Sequence, residues 1–280
     1  MRLPFWKVQA VGNDFVLVHS ADVPPSRSLA DVAREVCSRR MSVGADGLLV
    51  LGFLDGRLAM RMFNPDGSED FCGNGIRCAA VHASLYGLVQ SSEFTIHHGA
   101  QSVPVELSGN GPRSRRVRSR LQPASFDPER VPLRAGTGEV VERTWPVGDR
   151  QVVLTALTTG STHTVISATG RPEDRLFAEV SPALEHDPLF PERTSVVWSW
   201  PKAEDSIAIR IWERGVGETL GCGTGSAAAA AVWARKRESG GRLVVHNPGG
   251  GVVVTMDDWR SPLLVESDAE EVYAGWVELP

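Results

Sequence analysis

The sequence predicts an α/β protein built as two pseudo-symmetric halves, each a curved, mostly antiparallel sheet or barrel around a central helix. Three observations carry this expectation. Four blocks recur in the same order roughly 150 residues apart, the signature of an internal duplication. The matched strands alternate apolar and polar side chains, as half-buried strands do. Each half also contains one Cys-Gly-x-Gly element leading directly into a helical pattern.

The elements follow in order. Gly12-Asn13-Asp14-Phe15 in the first half faces Gly160-Ser161-Thr162-His163 in the second. Ser28 is placed to cap a helix whose Leu29, Val32, Ala33 and Val36 share one face, which sets Cys37 near its end as a packing residue. Ala59-Met60-Arg61-Met62-Phe63 recurs as Ala208-Ile209-Arg210-Ile211-Trp212, a strand that runs into a glycine-containing turn. Cys72-Gly73-Asn74-Gly75 and Cys222-Gly223-Thr224-Gly225 come next. The first continues with Ile76, Ala79, Ala80 and Ala83 at helical spacing. The second continues over 226–234 with small, apolar residues on every side, a pattern that requires an enclosed helix. Phe94-Thr95-Ile96-His97 matches Leu243-Val244-Val245-His246, and both read as hairpin strands. The Pro-, Ser- and Asp-containing segment 121–131 marks a boundary, giving halves of 1–121 with 272–280 and of 122–271.

Composition narrows the function. With 280 residues, 42% hydrophobic and 22% charged, the chain can bury a large core, which excludes a disordered protein or a small stapled scaffold. Its net charge of −5 supplies no long-range attraction for polyanions. The one basic run, Arg113, Arg115, Arg116, Arg118 and Arg120, alternates with other residues and reads as a solvated edge strand or linker, so no nucleic-acid partner is expected. The amino terminus lacks the apolar core of a signal peptide and the longest apolar runs are far too short to span a bilayer, which predicts a soluble, cytoplasmic protein with no membrane partner. The 4 cysteines are scattered and form no CxxC pair, so reduced thiols and no metal are expected.

The duplicated cysteines carry the chemistry. A thiol at a helix N-terminus faces unpaired N–H groups and the positive end of the helix dipole, which stabilise thiolate near neutral pH. The neighbouring glycines let a ligand approach the main chain, where the same N–H groups can hold a carboxylate. Two such thiols on opposite faces of an α-carbon form a two-base racemase: one takes the proton as thiolate and the other delivers a proton to the far side. The scheme needs no pyridoxal phosphate, and none of Lys7, Lys202 and Lys236 lies in a setting that suggests a Schiff base, so no cofactor is expected. Against this stand two plainer readings: Cys72 and Cys222 as buried structural thiols or a disulfide, and the whole chain as a non-catalytic, duplicated ligand-binding protein.

The motifs Gly12-Asn13-Asp14-Phe15, Gly44-Ala45-Asp46-Gly47, Phe63-Asn64-Pro65-Asp66-Gly67-Ser68-Glu69, Cys72-Gly73-Asn74-Gly75-Ile76-Arg77-Cys78 and Trp212-Glu213-Arg214-Gly215-Val216-Gly217-Glu218-Thr219, with Cys222-Gly223-Thr224-Gly225, resemble diaminopimelate epimerase over nearly the whole chain. The resemblance implies that Cys72 and Cys222 are the acid/base pair and that His163 and Glu213 orient the reacting end. It implies a carboxylate held by the main chain of Gly73, Asn74, Gly223 and Thr224, further substrate contacts from Asn13 and Asn64, and a grip by Arg214 on the distal carboxylate of diaminopimelate.

Two departures stand out. The family reads Gly-Asn-Pro-His where this chain has Gly160-Ser161-Thr162-His163, and Arg-x-Asn-Val where it has Arg193-Thr194-Ser195-Val196. Ser161 and Ser195 therefore replace two distal-end asparagines, and a substrate group left without its partner costs about 1–3 kcal/mol. The expectation is a cofactor-independent epimerase or racemase acting on an amino acid other than diaminopimelate. Diaminopimelate epimerase proper, with serines and water standing in for the amides, is the alternative. The partner is a small-molecule amino acid, and a homodimer is left open.

Overall fold

The first strand, β1 (Arg2–Ala10), reverses at Val11 and Gly12, whose φ angles of 56° and 77° lie in the left-handed region, and returns as β2 (Asn13–His19). The coordinates form a computed structural model in which residues 2–134 and 136–279 are described. Two units make up the chain: Met1–Arg120 with Glu266–Pro280, and Leu121–Val265.

In the first unit, β1 and β2 are followed by β3 (Gly47–Leu54), β4 (Arg57–Phe63), β5 (Glu93–His98), β6 (Gln101–Ser108) and β7 (Ser114–Leu121). The last strand of the chain, β16 (Leu263–Glu278), lies beside β7 and also pairs antiparallel with β1, closing a barrel. Alternation along the strands explains the two-layered packing. Phe15, Leu17, Leu49, Leu51, Met60 and Ile96 point inward onto α2 (Gly73–Leu85), where Ile76, Ala79, Ala80 and Ala83 meet them. Their neighbours Val16, Val18, Leu48 and Val50 point outward onto Val32, Ala33 and Val36 of α1 (Leu29–Val36). Each large aliphatic side chain so buried contributes about 1.5–3 kcal/mol. Ser28 caps α1 as expected, its hydroxyl accepting the Asp31 N–H at 3.1 Å, and Cys37 is buried at the helix end.

The second unit repeats the plan with β8 (Arg143–Val147), β9 (Arg150–Thr158), β10 (Thr162–Ser167), α3 (Asp174–Glu185), β11 (Ser195–Ala203), β12 (Ser206–Glu213), β13 (Gly217–Thr219), α4 (Gly223–Arg237), β14 (Gly241–Asn247) and β15 (Gly250–Met256). The duplication survives in the ladder directions. From β1 to β6 the successive pairings run antiparallel, parallel, antiparallel, parallel, antiparallel. From β9 through β10, β11, β12 and β14 to β15 they run in the same sequence. Each parallel step needs a crossover, supplied by α1 and α2 in one unit and by α3 and α4 in the other. The helix at 226–234 is enclosed, as its composition requires: Ser226 through Ala231 of α4 are at most 1% exposed.

The arginine run is not an edge strand or linker. It forms β7, flanked by β6 and β16, with Val117, Ser119 and Leu121 turned inward. The outward Arg116 meets Asp268, and Arg118 meets Glu106 and Glu266, all at 3.0 Å. Acidic residues on both neighbouring strands neutralise the run and let it sit mid-sheet. Among the described residues, no helix is long and apolar enough to cross a membrane.

Candidate active site

Both Cys-Gly-x-Gly elements fold into the same local structure. Cys72 is the N-cap of α2 and Cys222 the N-cap of α4, each extended, with φ of −137° and −139°. In each, Sγ accepts the N–H three residues on, from Gly75 and Gly225, at 3.3 Å. The sulfur thus takes the place of the usual capping oxygen, and an N–H aimed at it favours its charged form. The other two cysteines contrast with these. Burial pushes the Cys37 thiol up to about 12 and raises Cys78 as well, leaving both as inert packing groups. None of the four is in a disulfide among the described residues.

Gly75 and Gly225 meet a packing constraint that their sequence context does not reveal. A Cβ on Gly75 would lie 2.8 Å from Leu49 Cδ2, and one on Gly225 2.6 Å from Ile211 Cδ1. Close packing of the helix start against the sheet therefore requires glycine at both positions.

In the first unit a polar network reaches the helix start from the β1–β2 hairpin. Asn74 donates to Asn13 Oδ1 at 3.1 Å, and Asn13 donates to Asp46 at 2.7 Å. Arg39 bridges Asp46 and Asp14, at 2.6 and 2.5 Å, and Lys7 pairs with Asp14 at 2.5 Å. Burial would raise the Asp14 carboxyl, but Arg39 and Lys7 outweigh it and hold it below the usual carboxylate range. On the helix side, Arg77, 1% exposed, donates to Asn74 Oδ1. Asn64 lies on the turn between β4 and Cys72, where its side-chain amide donates to Ser68 Oγ at 3.1 Å and its main-chain carbonyl accepts the Gly67 N–H at 2.9 Å.

In the second unit, His163 and Ser195 face each other across the parallel β10–β11 ladder. His163 is 1% exposed, and its Nδ1 donates to the Ser161 carbonyl at 2.8 Å. The Ser195 hydroxyl accepts the Arg214 N–H at 3.1 Å, and the Arg214 guanidinium donates to the Glu192 carbonyl at 3.1 Å. Glu213, at the end of β12, accepts the Thr219 hydroxyl at 2.5 Å. Thr159 donates to the Thr224 carbonyl at 3.1 Å, tying the turn that carries Ser161 to the first turn of α4, and Thr224 Oγ1 lies 3.3 Å from Cys222 Sγ.

Within the first unit Asn13 and Asn74 join one hydrogen-bonded network at the start of the helix that Cys72 caps, and within the second Ser161 meets His163, His163 lies beside Ser195, Ser195 meets Arg214 and Cys222 meets Thr224, while Asn64 and Glu213 are held on their own turns by Ser68 and Thr219. Sequence reasoning did not single out Asp46, Arg77 or Thr159. The first two lie inside quoted motifs, and for Arg77 the three-residue spacing from Asn74 was a further signal; Thr159 carries none. Among the described residues, no cluster of three or more His, Cys, Asp or Glu side chains could hold a metal ion.

Comparison with known proteins gives these geometries a family. The sequence model described as "Diaminopimelate epimerase" matches residues 5–126 and 155–273. The diaminopimelate epimerase of Desulforudis audaxviator is 36% identical, covering 98% of this chain and 99% of that protein, and that of Moorella thermoacetica is 37% identical, covering 97% and 98%. Among solved structures, a hydroxyproline epimerase from Agrobacterium vitis aligns with a TM-score of 0.70 at 14% identity, covering 99% of this chain and 93% of the other. A phenazine biosynthesis protein from Bacillus anthracis aligns with 0.67 at 17%, covering 100% of both, and these two share the fold. Site and relatives together define an isomerase of the cofactor-independent amino-acid epimerase and racemase class. Within that class, the chain belongs to the diaminopimelate epimerase family.

Proposed function

We propose that this enzyme inverts the α-carbon of an amino acid other than diaminopimelate by passing protons through Cys72 and Cys222. One cysteine, as thiolate, removes the α-proton from one face; the other, as thiol, donates a proton to the opposite face, so one proton is lost and one gained. Main-chain N–H groups of Gly73, Asn74, Gly223 and Thr224 hold the substrate carboxylate and stabilise the charge that develops on it, an effect worth about 3–4 kcal/mol for a single well-placed donor. His163 and Glu213 orient the reacting end, while Asn13, Asn64 and Arg214 bind the rest of the substrate.

The observation that carries the altered substrate is the hydrogen bonding of Ser195. Its hydroxyl accepts the Arg214 N–H, leaving one O–H to offer a ligand, where an asparagine amide would offer two N–H donors. Ser161 shortens its position in the same way. A second reading, diaminopimelate itself, is supported by the presence of Asn13, Asn64 and Arg214 and by the activity named for the relatives. Incubating the enzyme separately with LL-diaminopimelate and with each of a panel of L-amino acids, and following inversion by chiral chromatography, separates the two. The proposal expects faster inversion of a panel member; efficient inversion of diaminopimelate alone would overturn it.

A further inference from the structure

One matched block is not used by the chemistry above. The strand pair around His97 and His246 ends, one residue later in each half, at His98 and Asn247, the last residues of β5 and β14. Both side chains are buried, at 6% and 8% exposure, and both turn toward the segment that enters a cysteine-capped helix.

Asn247 Oδ1 accepts the Cys222 N–H at 3.3 Å, and its Nδ2 donates to Ser226 Oγ at 3.0 Å and to the Val245 carbonyl at 3.2 Å. Ser226 Oγ in turn donates to the Cys222 carbonyl at 2.7 Å. The main-chain N–H and C=O of Cys222 are thus both held, directly or through one hydroxyl, by a single amide. The turn after Asn247 adds a third tie, Gly249 N–H to the Leu220 carbonyl at 2.7 Å. In the first unit His98 does corresponding work by other means. It hydrogen-bonds the main chain of Asp70, and its ring lies against Phe71 with centroids 5.3 Å apart, two contacts on the two residues preceding Cys72. With Nε2 left without a partner, Nδ1 makes the main-chain bond.

We propose that Asn247 and His98 are positioning residues for Cys222 and Cys72, clamping from the end of a neighbouring strand the turn from which each thiol projects. This rests on the two-thiol reading only for its catalytic consequence. Each clamp fixes where Sγ sits relative to the N–H of Gly225 or Gly75. Loosening one clamp lengthens that N–H···S bond, which weakens its support for thiolate, and leaves the other cysteine as it was.

The test is the pH profile of alkylation by iodoacetamide, resolved for each cysteine by peptide mass spectrometry, in the wild type and in N247L and H98L. N247L is expected to move the Cys222 profile up by about half to one pH unit and leave that of Cys72 in place, and H98L the reverse. With the substrate found above, each variant is expected to lose roughly tenfold or more in kcat with KM within about twofold, as misplacement of a reacting group predicts. N247Q, which withdraws the carbonyl oxygen from the Cys222 N–H while remaining polar, carries the same test should N247L not fold. Profiles in which neither thiol moves, or both move together, overturn the proposal. Alkylation reads thiol placement even in a protein that turns nothing over, so failure of this inference is distinguishable from failure of the two-thiol reaction, which C72A and C222A address.

Discussion

At the residue scale, the proposed reading joins the two-thiol chemistry to a changed substrate preference. The capping thiols, His163 on its carbonyl partner and Glu213 on the Thr219 hydroxyl are all held by hydrogen bonds within their own unit. On that reading Ser161 and Ser195 offer a substrate fewer donors than asparagines would. The double variant S161N/S195N is therefore expected to gain activity on diaminopimelate by roughly one to two orders of magnitude, the equivalent of one or two restored hydrogen bonds, and to lose activity on the native substrate. Steady-state kcat/KM on both substrates checks this. A second prediction concerns buried imidazoles. Burial, reinforced by His19, lowers His82 from 6.5 to about 3, and burial also lowers His98. Both groups are neutral when folded and take up protons on unfolding below the ordinary histidine value. The stability they confer is present above about pH 6.5 and is lost as pH falls from there toward the folded values, by up to about 1.4 kcal/mol per pH unit for each. Urea unfolding between pH 7 and pH 4 should show this slope, and H82Q should flatten it; an unchanged slope in H82Q would contradict the assignment.

At the scale of the element, the decisive fit is between a glycine at a helix start and one side chain on the sheet. A Cβ at position 225 meets Ile211 Cδ1, so G225A is expected to cost about 1–3 kcal/mol by overpacking. I211V removes that methyl group at about 0.5–1.5 kcal/mol on its own. Combined in one chain, the two substitutions should recover much of the loss, giving a coupling that a double-mutant cycle in chemical denaturation would measure; additive losses would contradict the packing account. The same element scale shows why α4 is so rich in alanine. A helix enclosed by strands on all sides has room only for small side chains, and its hydrophobicity comes from enclosure, not from an amphipathic stripe.

At the scale of the molecule, the first unit depends on the end of the chain. β16 lies between β7 and β1 and completes the barrel around α2. Removing 266–280 exposes both strand edges, and hydrogen exchange across β1 and β7 is expected to lose its protection, while β10 to β12 keep theirs. Much of this plan was legible in the sequence, because duplication, strand alternation and capping are local signals. The matched strands, both cysteine-capped helices and the Ser28 cap were readable from a handful of residues each. What local pattern could not show was partnership at long range. Arg116 and Arg118 read as a solvated edge because Glu266 and Asp268, which pair with them, lie on a strand at the far end of the chain. The packing of Gly75 on Leu49 and of Gly225 on Ile211 was not readable either, because those neighbours come from other strands. The central claim, proton passage between two different thiols, is tested most directly by inversion in deuterium oxide, sampled before one turnover of the substrate pool is complete. The account predicts that the product enantiomer carries solvent deuterium at the α-carbon while recovered substrate keeps its protium, and that C72A and C222A each lower inversion by roughly 10²- to 10⁴-fold. Deuterium appearing in recovered substrate as fast as inversion proceeds, or full activity in either cysteine variant, would contradict it.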